Sequence, residues 1–298
     1  MQPESQTSAT VLMVRPAAFG FHAEAAQSNA FAQPGVADAS QAALAEFDGV
    51  IGRLVQAGVE VLVLDDQPQP AKPDAIFPNN WVSFHADGTM VLYPMATEAR
   101  RLERTPDRLR DLLEKKGFDV RRIIDLSPHE RDGHYLEGTG SLILDRPRRR
   151  AFASLGPRTD PQAIAEFDRQ LGFSTFVFDA RDRAGRPIYH TNVLMSLGTR
   201  FAILCAEAVA RDHRQPLLDE IAGGGREIIE VSFEQLRHFA CNALELRSAS
   251  GDPVIALSSA ARGSFTPDQL GELERYGTLV EAPIPTIEAV GGGSLRCM

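Results

Sequence analysis

Cysteine is scarce in this chain: its 298 residues hold three, Cys205, Cys241 and Cys297. An odd, widely spaced trio builds no disulfide framework and fits a reducing compartment. There is no Cys-x-x-Cys pair, which removes the usual cysteine-based zinc motif. No run of about 18 apolar residues occurs, so no membrane-spanning helix is expected. The opening stretch, MQPESQTSAT, lacks the basic and apolar regions of a secretory leader. Residues 1–10 read as a disordered lead-in, residues 11–298 as a single domain, and the cytoplasm is the expected compartment. Positive charge is also short. Lys and Arg number 31 against 40 Asp and Glu, a net charge of −9. The only basic run, Arg148-Arg149-Arg150, reads as a solvated turn, so nucleic acid is not an expected partner.

What remains is the composition of a soluble globular protein, 43% hydrophobic and 24% charged. Apolar runs rich in Val, Ile and Leu alternate around turn signals. VSFHADGTMVLYP folds back at Asp87-Gly88, a strong hairpin turn. GSLILDRPRRRAFASLG does so at Arg146-Pro147, NVLMSLGTRFAILCA at Gly198, and NALELRSASGDPVIALSS at Gly251-Asp252. Between them lie helical stretches such as TPDRLRDLLEKKG, with Thr105 as cap, Pro106 in the first turn and Gly117 as stop. DVRRII and EIIEVS then read as returning strands. Hairpin, helix, strand thus recurs with a period of roughly 50–60 residues, the mark of an internal array. The N-terminal strand TVLMVRP and a C-terminal strand around Thr286-Ile287 lack hairpin partners. Their pairing would supply a fifth unit and close the array, removing exposed sheet edges.

A polar residue stands at or just before the first strand of each unit: Asn80, Glu137, His190 and Asn242, with Cys297 as the fifth. Equivalent positions in a closed pseudo-symmetric array lie at one end of its channel, so these groups should converge. A Cys, a His and a Glu together point to nucleophilic catalysis. The thiolate attacks an electrophilic carbon, and the His moves protons. The Glu accepts hydrogen bonds from the substrate or shuttles protons. The glycines Gly291–Gly293 would let the chain approach a ligand closely. A rival cluster, His129, Asp132, His134 and Glu137, has a spacing that could hold a metal, but Gly133 and Pro128 make it a loop with no helix to set ligand geometry. Cys205 reads as a buried apolar residue. DDQPQPAKPDA, from Asp65 to Ala75, is long, lacks periodic apolar residues and reads as a mobile loop.

These blocks carry a resemblance. From Val11 to Met298, the ordered set VLMVRPAAFGF, DAIFPNNW, LEGTG, SLGPRTD, YHTNVLMSLG and GGGSLRC resembles the guanidino-group-modifying, amidinotransferase-like superfamily. It is most similar to the branch of citrulline-utilisation hydrolases and amidinotransferases. The resemblance implies the pentein fold, a five-fold pseudo-symmetric α/β propeller of ββαβ-type repeats around a central channel. It implies Cys297 as nucleophile, His190 as general acid and base, and Glu137 as its acidic partner. It also implies that Arg158 holds the substrate carboxylate by a bidentate fork and that Asp74 contributes to substrate binding. No metal or other cofactor is implied. The partner is a small arginine-like amino acid, with no membrane or nucleic acid, and homo-oligomers are left open.

Two departures from the arginine deiminases bear on the substrate. Their His-x-Asp is His190-Thr191-Asn192 here, and their second clamping Asp is Asn80. An aspartate only accepts hydrogen bonds and balances a guanidinium, whereas an asparagine both donates and accepts. Burying a guanidinium with one counter-charge removed costs on the order of 3–5 kcal/mol. The amides therefore suit a neutral ureido group, which favours citrulline, cleaved to ornithine, ammonia and carbon dioxide. The alternatives are arginine deiminase, dimethylarginine or succinylarginine hydrolase, amidinotransferase and, more remotely, a non-catalytic binding protein of the same fold.

Overall fold

The computed structural model describes residues 4–34 and 38–298. The first unit contains β1 (Thr10–Arg15), the one-turn helix α1 (Ala23–Ala26), α2 (Ala39–Gln56) and β2 (Glu60–Asp65). The second contains β3 (Val82–Phe84), β4 (Thr89–Leu92), α3 (Pro106–Lys115) and β5 (Arg122–Asp125). The third follows as α4 (Gly138–Ser141), β6 (Ile143–Asp145), β7 (Arg150–Ser154), α5 (Pro161–Leu171) and β8 (Ser174–Phe178). The fourth is α6 (Thr191–Leu194), β9 (Met195–Leu197), β10 (Phe201–Leu204), α7 (Arg211–Gly223) and β11 (Glu227–Glu230). The fifth is α8 (Phe233–Arg237), β12 (Leu244–Arg247), β13 (Pro253–Ser258), α9 (Ser259–Ser264), α10 (Pro267–Glu274) and β14 (Thr278–Ala282).

Four of the units are three-stranded mixed sheets of one design. The first strand pairs antiparallel with the second, and the third returns parallel to the second after a helical crossover. The middle strands are the apolar runs, and they are almost wholly buried: β4 and β10 along their full length. The helices bury one stripe each. In α2 it is Ala39, Ala43, Phe47, Val50 and Leu54, a helical spacing that packs the stripe on the sheet. All four expected hairpin turns are present, and at Gly88 (φ +84°) a Cβ would come within 2.7 Å of the Asp119 carbonyl. Thr105 sits at the N-cap of α3 without a capping bond, whereas Thr266 and Ser232 form capping boxes with Gln269 and Gln235.

Three expectations need correction. β1 pairs with β2, in parallel, and not with a strand at Thr286-Ile287. That stretch enters a wide helical turn, Ile287–Gly291, whose leading N–H groups, on Thr286 and Ile287, donate to the Glu46 carboxylate of α2 at 2.8 and 2.9 Å. A carboxylate at a helix start replaces the strand partner. Residues 4–9, expected as disordered lead-in, are also held; residues 1–3 lie outside the described part. The Gln6 amide donates to the carbonyls of Leu144 and Leu197 and accepts from Arg146 N–H. Glu4 accepts from Ala86 N–H and from Arg146. This segment therefore crosses the ends of β3, β6 and β9 and satisfies backbone groups there. The Asp65–Ala75 stretch is likewise anchored: buried Lys72 reaches Asp66 at 3.0 Å and the carbonyls of Gln67 and Pro70.

β6 lies beside β9, and β9 beside β12. Residues of β1, β3, β6, β9 and β12 line one cavity of about 680 Å³, with Glu4 and Gln6 at its wall. Among the described residues, no helix is long and apolar enough to cross a membrane.

Candidate active site

A short helical turn precedes the first strand in the second, third and fourth units, and the candidate residues ride on these turns. Asn79 and Asn80 belong to the turn Pro78–Asn80 ahead of β3. Glu137 and His190 are the N-cap residues of α4 and α6. Asn242 follows the turn ahead of β12, and Cys297 closes the turn Leu295–Cys297. α4 packs against both α6 and the Pro78–Asn80 turn, which in turn meets Leu295–Cys297. The packing is close enough to exclude side chains. A Cβ at Gly138 (φ +48°) would overlap the Asn79 carbonyl at 2.1 Å. The terminal glycines act similarly: a Cβ at Gly291 or Gly293 would meet the Phe77 ring at 2.8 or 2.9 Å, and Gly292 has φ +65°.

Glu137 is fully buried and His190 is 4% exposed. Oε2 of Glu137 lies 2.9 Å from Nε2 of His190 and 3.2 Å from Nη1 of Arg158. Oε1 accepts from Ala96 N–H. Burial pushes this carboxyl up, but Arg158, the His190 bond and Arg100 together outweigh it and hold it well below the usual carboxylate range. An ionised Glu137 only accepts, so His190 donates from Nε2–H and Nδ1 is the free base. Burial holds His190 down to about 4, although Glu137 opposes this, so the imidazole is neutral near pH 7. A Cβ at Gly140 would stand 2.9 Å from Nδ1 and 2.5 Å from Nδ2 of Asn80. Glycine there keeps the basic nitrogen accessible.

Cys297, 8% exposed, is surrounded by amides. Its Sγ accepts from Nδ2 of Asn192 at 3.4 Å and from Nδ2 of Asn242 at 3.3 Å. Asn79 donates to the Cys297 carbonyl. Oδ1 of Asn192 is buried with no hydrogen-bond partner among the described residues. The adjacent Arg296 turns into the 680 Å³ cavity and donates to the Thr139 carbonyl. It has no carboxylate partner within ion-pair distance among the described residues. Burial pulls its guanidinium down, and the neighbouring Cys297 sulfur acts the other way.

Around this centre lie buried ion pairs. Arg100 forks onto both oxygens of Glu103 at 2.9 Å, donates to Oδ1 of Asn80 at 2.8 Å and lies 3.6 Å from Asp74. The segment 22–29 crosses above. His22 pairs with Asp74 at 2.8 Å, and Arg158 donates to Ala25 O and Ser28 Oγ at 2.7 and 2.9 Å while stacking on Tyr189. Tyr189 donates to Gly292 O.

Glu137, His190, Asn192 and Cys297 thus come together through hydrogen bonds and packed turns. Asn80 is one step removed, since its amide is committed to Arg100 and Asn79. Asp74 and Arg158 are present, but both are bonded to the segment 22–29. Sequence reasoning missed Asn79, Arg100, Glu103 and His22, and left Asn242 without a role although its repeat position was visible. Of the rival metal cluster, His134 pairs with Asp160 and Glu137 with His190. No three His, Cys, Asp or Glu among the described residues form a metal-binding group. Cys205 and Cys241 are buried with their thiols pushed up, Cys205 to about 12.

Residues 15–298 match the family of N,N-dimethylarginine dimethylhydrolases of eukaryotic type. No curated protein matches the chain. Among solved structures, the chain is similar to the arginine dihydrolase ArgZ of the cyanobacterial ornithine–ammonia cycle, with TM-score 0.73 and 19% identity. That alignment covers 97% of this chain and 40% of ArgZ, so the chain spans about two fifths of that protein's length. The N-terminal domain of ArgZ bound to product is covered to 95%, at TM-score 0.74 and 18% identity. A dimethylarginine dimethylaminohydrolase adduct aligns over 98% of both chains at TM-score 0.65 and 13% identity. The chain belongs to the family of N,N-dimethylarginine dimethylhydrolases of eukaryotic type.

Proposed function

We propose that the protein is a cysteine hydrolase cleaving a C–N bond at the ureido or guanidino carbon of an arginine-like amino acid, with citrulline favoured. One observation carries the substrate choice: the side chains hydrogen-bonded to Sγ are neutral amides, and the buried Oδ1 of Asn192 lacks a donor among the described residues. A ureido N–H₂ supplies that donor without needing a counter-charge. The nearby carboxylates are already matched, Glu137 by His190 and Arg158 and Glu103 by Arg100.

In this reading, neutral His190 takes the Cys297 thiol proton, and Glu137 stabilises the imidazolium. The thiolate adds to the ureido carbon. The bond from that carbon to the ornithine nitrogen breaks, and His190 returns its proton to the leaving amine. A carbamoyl thioester remains. His190 then accepts a proton from water, which attacks the thioester and expels the thiolate. Carbamate decomposes to ammonia and carbon dioxide. Asp74 and Arg158 take the substrate's amino-acid end, which requires the segment 22–29 to move aside from both. The five units close into a pseudo-symmetric ring, a reading supported by the common cavity that strands of all five line.

A second reading is arginine itself, hydrolysed twice at one site, favoured by the likeness to an arginine dihydrolase domain. Ammonia counting separates them: citrulline yields one ammonia per ornithine, arginine two. Purified protein is to be assayed with citrulline, arginine, dimethylarginine, agmatine and succinylarginine, with and without added glycine to detect transfer to an amine. Fast arginine turnover with none on citrulline reverses the preference. Cys297→Ser should remove turnover while leaving the melting curve intact, and an active variant would sink the mechanism.

A further inference from the structure

Asn242 is 1% exposed and comes from the fifth unit, whereas the His-bearing turn comes from the fourth. Its amide orientation is fixed by two bonds. Oδ1 accepts from Arg296 N–H at 3.1 Å, the residue before the nucleophile. Nδ2 therefore faces the other way, donating to Asn192 O at 3.2 Å and to Sγ of Cys297 at 3.3 Å. An S–H can in turn reach Oδ1 at 3.6 Å, so the same amide serves thiol and thiolate. Together with Asn192 it gives the sulfur two N–H donors set by the backbone of different turns.

We infer that Asn242 is a catalytic residue: its Nδ2–H holds the Cys297 thiolate in line for attack and receives the negative charge again when the C–S bond of the intermediate breaks. The inference rests on Cys297 being the nucleophile proposed above. A hydrogen bond to a charged group that forms fully only on the thiolate acts on the chemical step more than on binding. Losing it should lower kcat by about 10- to 100-fold with KM changed by no more than about 3-fold.

The test compares Asn242→Ala with Asn242→Asp, which keeps the shape and the acceptor for Arg296 N–H but has no donor for sulfur. Both should fall in kcat, the Asp variant at least as far, and both should slow alkylation of Cys297 by iodoacetamide without substrate. An Asp variant with full kcat and full alkylation rate overturns the inference, because a packing role alone is then enough. Should either variant fail to fold, the unaltered protein decides. The Asn242 side-chain amide protons should shift in NMR on alkylation of Cys297, and unmoved resonances overturn the inference. The failure of the nucleophile assignment itself is seen separately, as an active Cys297→Ser.

Discussion

At the scale of single residues, burial does most of the work. His190 and Glu137 are both removed from water, yet only the carboxylate stays charged, because Arg158 and Arg100 face it. The unfolded chain takes up a proton on this histidine near its ordinary value of 6.5, and the folded chain only at about 4. Between those values the unfolded state binds more protons, so stability falls as pH falls. Glu137 adds to the loss below about 4.5, where the unfolded carboxyl protonates first. Comparing urea midpoints at pH 7 and 5.5 isolates this histidine: His190→Gln should lose less stability over that interval than the unaltered protein. Gly140 offers a second test. A methyl there presses on Asn80 Nδ2, which Arg100 and Asn79 pin, and on the His190 ring. Gly140→Ala should lower kcat by about 100-fold, the effect of misplacing a reacting group by about an ångström. Steady-state kinetics on the folded variant checks it.

Among the elements, the strands, hairpins and crossover helices were legible because their signals are local: turn residues at Asp87-Gly88 and Gly251-Asp252, Pro106 at a helix start. The Thr286-Ile287 stretch was misread for the opposite reason. Its backbone donors are satisfied by Glu46, some 240 positions earlier. No local pattern reports such a partner. The same holds for Gln6, whose partners lie on two other units, and for Lys72 under its loop. Glu46→Ala should cost about 1–2 kcal/mol, as loss of a helix cap does, and should lower kcat too, since the segment it anchors leads to Cys297. Urea unfolding and kinetics on the variant measure the two effects. The candidate site was half legible. Glu137, His190 and Cys297 showed through the repeat interval, while the bonds of Arg158 to Ala25 and Ser28 depend on how a distant segment crosses the site.

Across the whole molecule, the units are joined by polar contacts as well as by apolar packing. Asp145 on β6 is fully buried and binds Arg226, just ahead of β11, through two bonds of 2.7 and 2.9 Å. Arg226 also donates to Gly198 O in the β9–β10 turn. This pair clamps the third unit to the fourth. Removing one partner strands the other charge, so Asp145→Ala should destabilise by about 3–5 kcal/mol, measured by urea unfolding, with activity per folded molecule retained. The thiols give a second global test. With Cys205 and Cys241 buried within the core and their thiols pushed up, a native sample should take up one alkyl group per chain, and denatured protein three.

Among the described residues, the side chains hydrogen-bonded to the Cys297 sulfur or to His190 sit on or beside short turns, and none sits on a paired strand. Architecture and chemistry are thus written in separate stretches of the same chain. A lineage built this way can exchange its reaction by editing a handful of short words while the sheets between them go on saying the same thing.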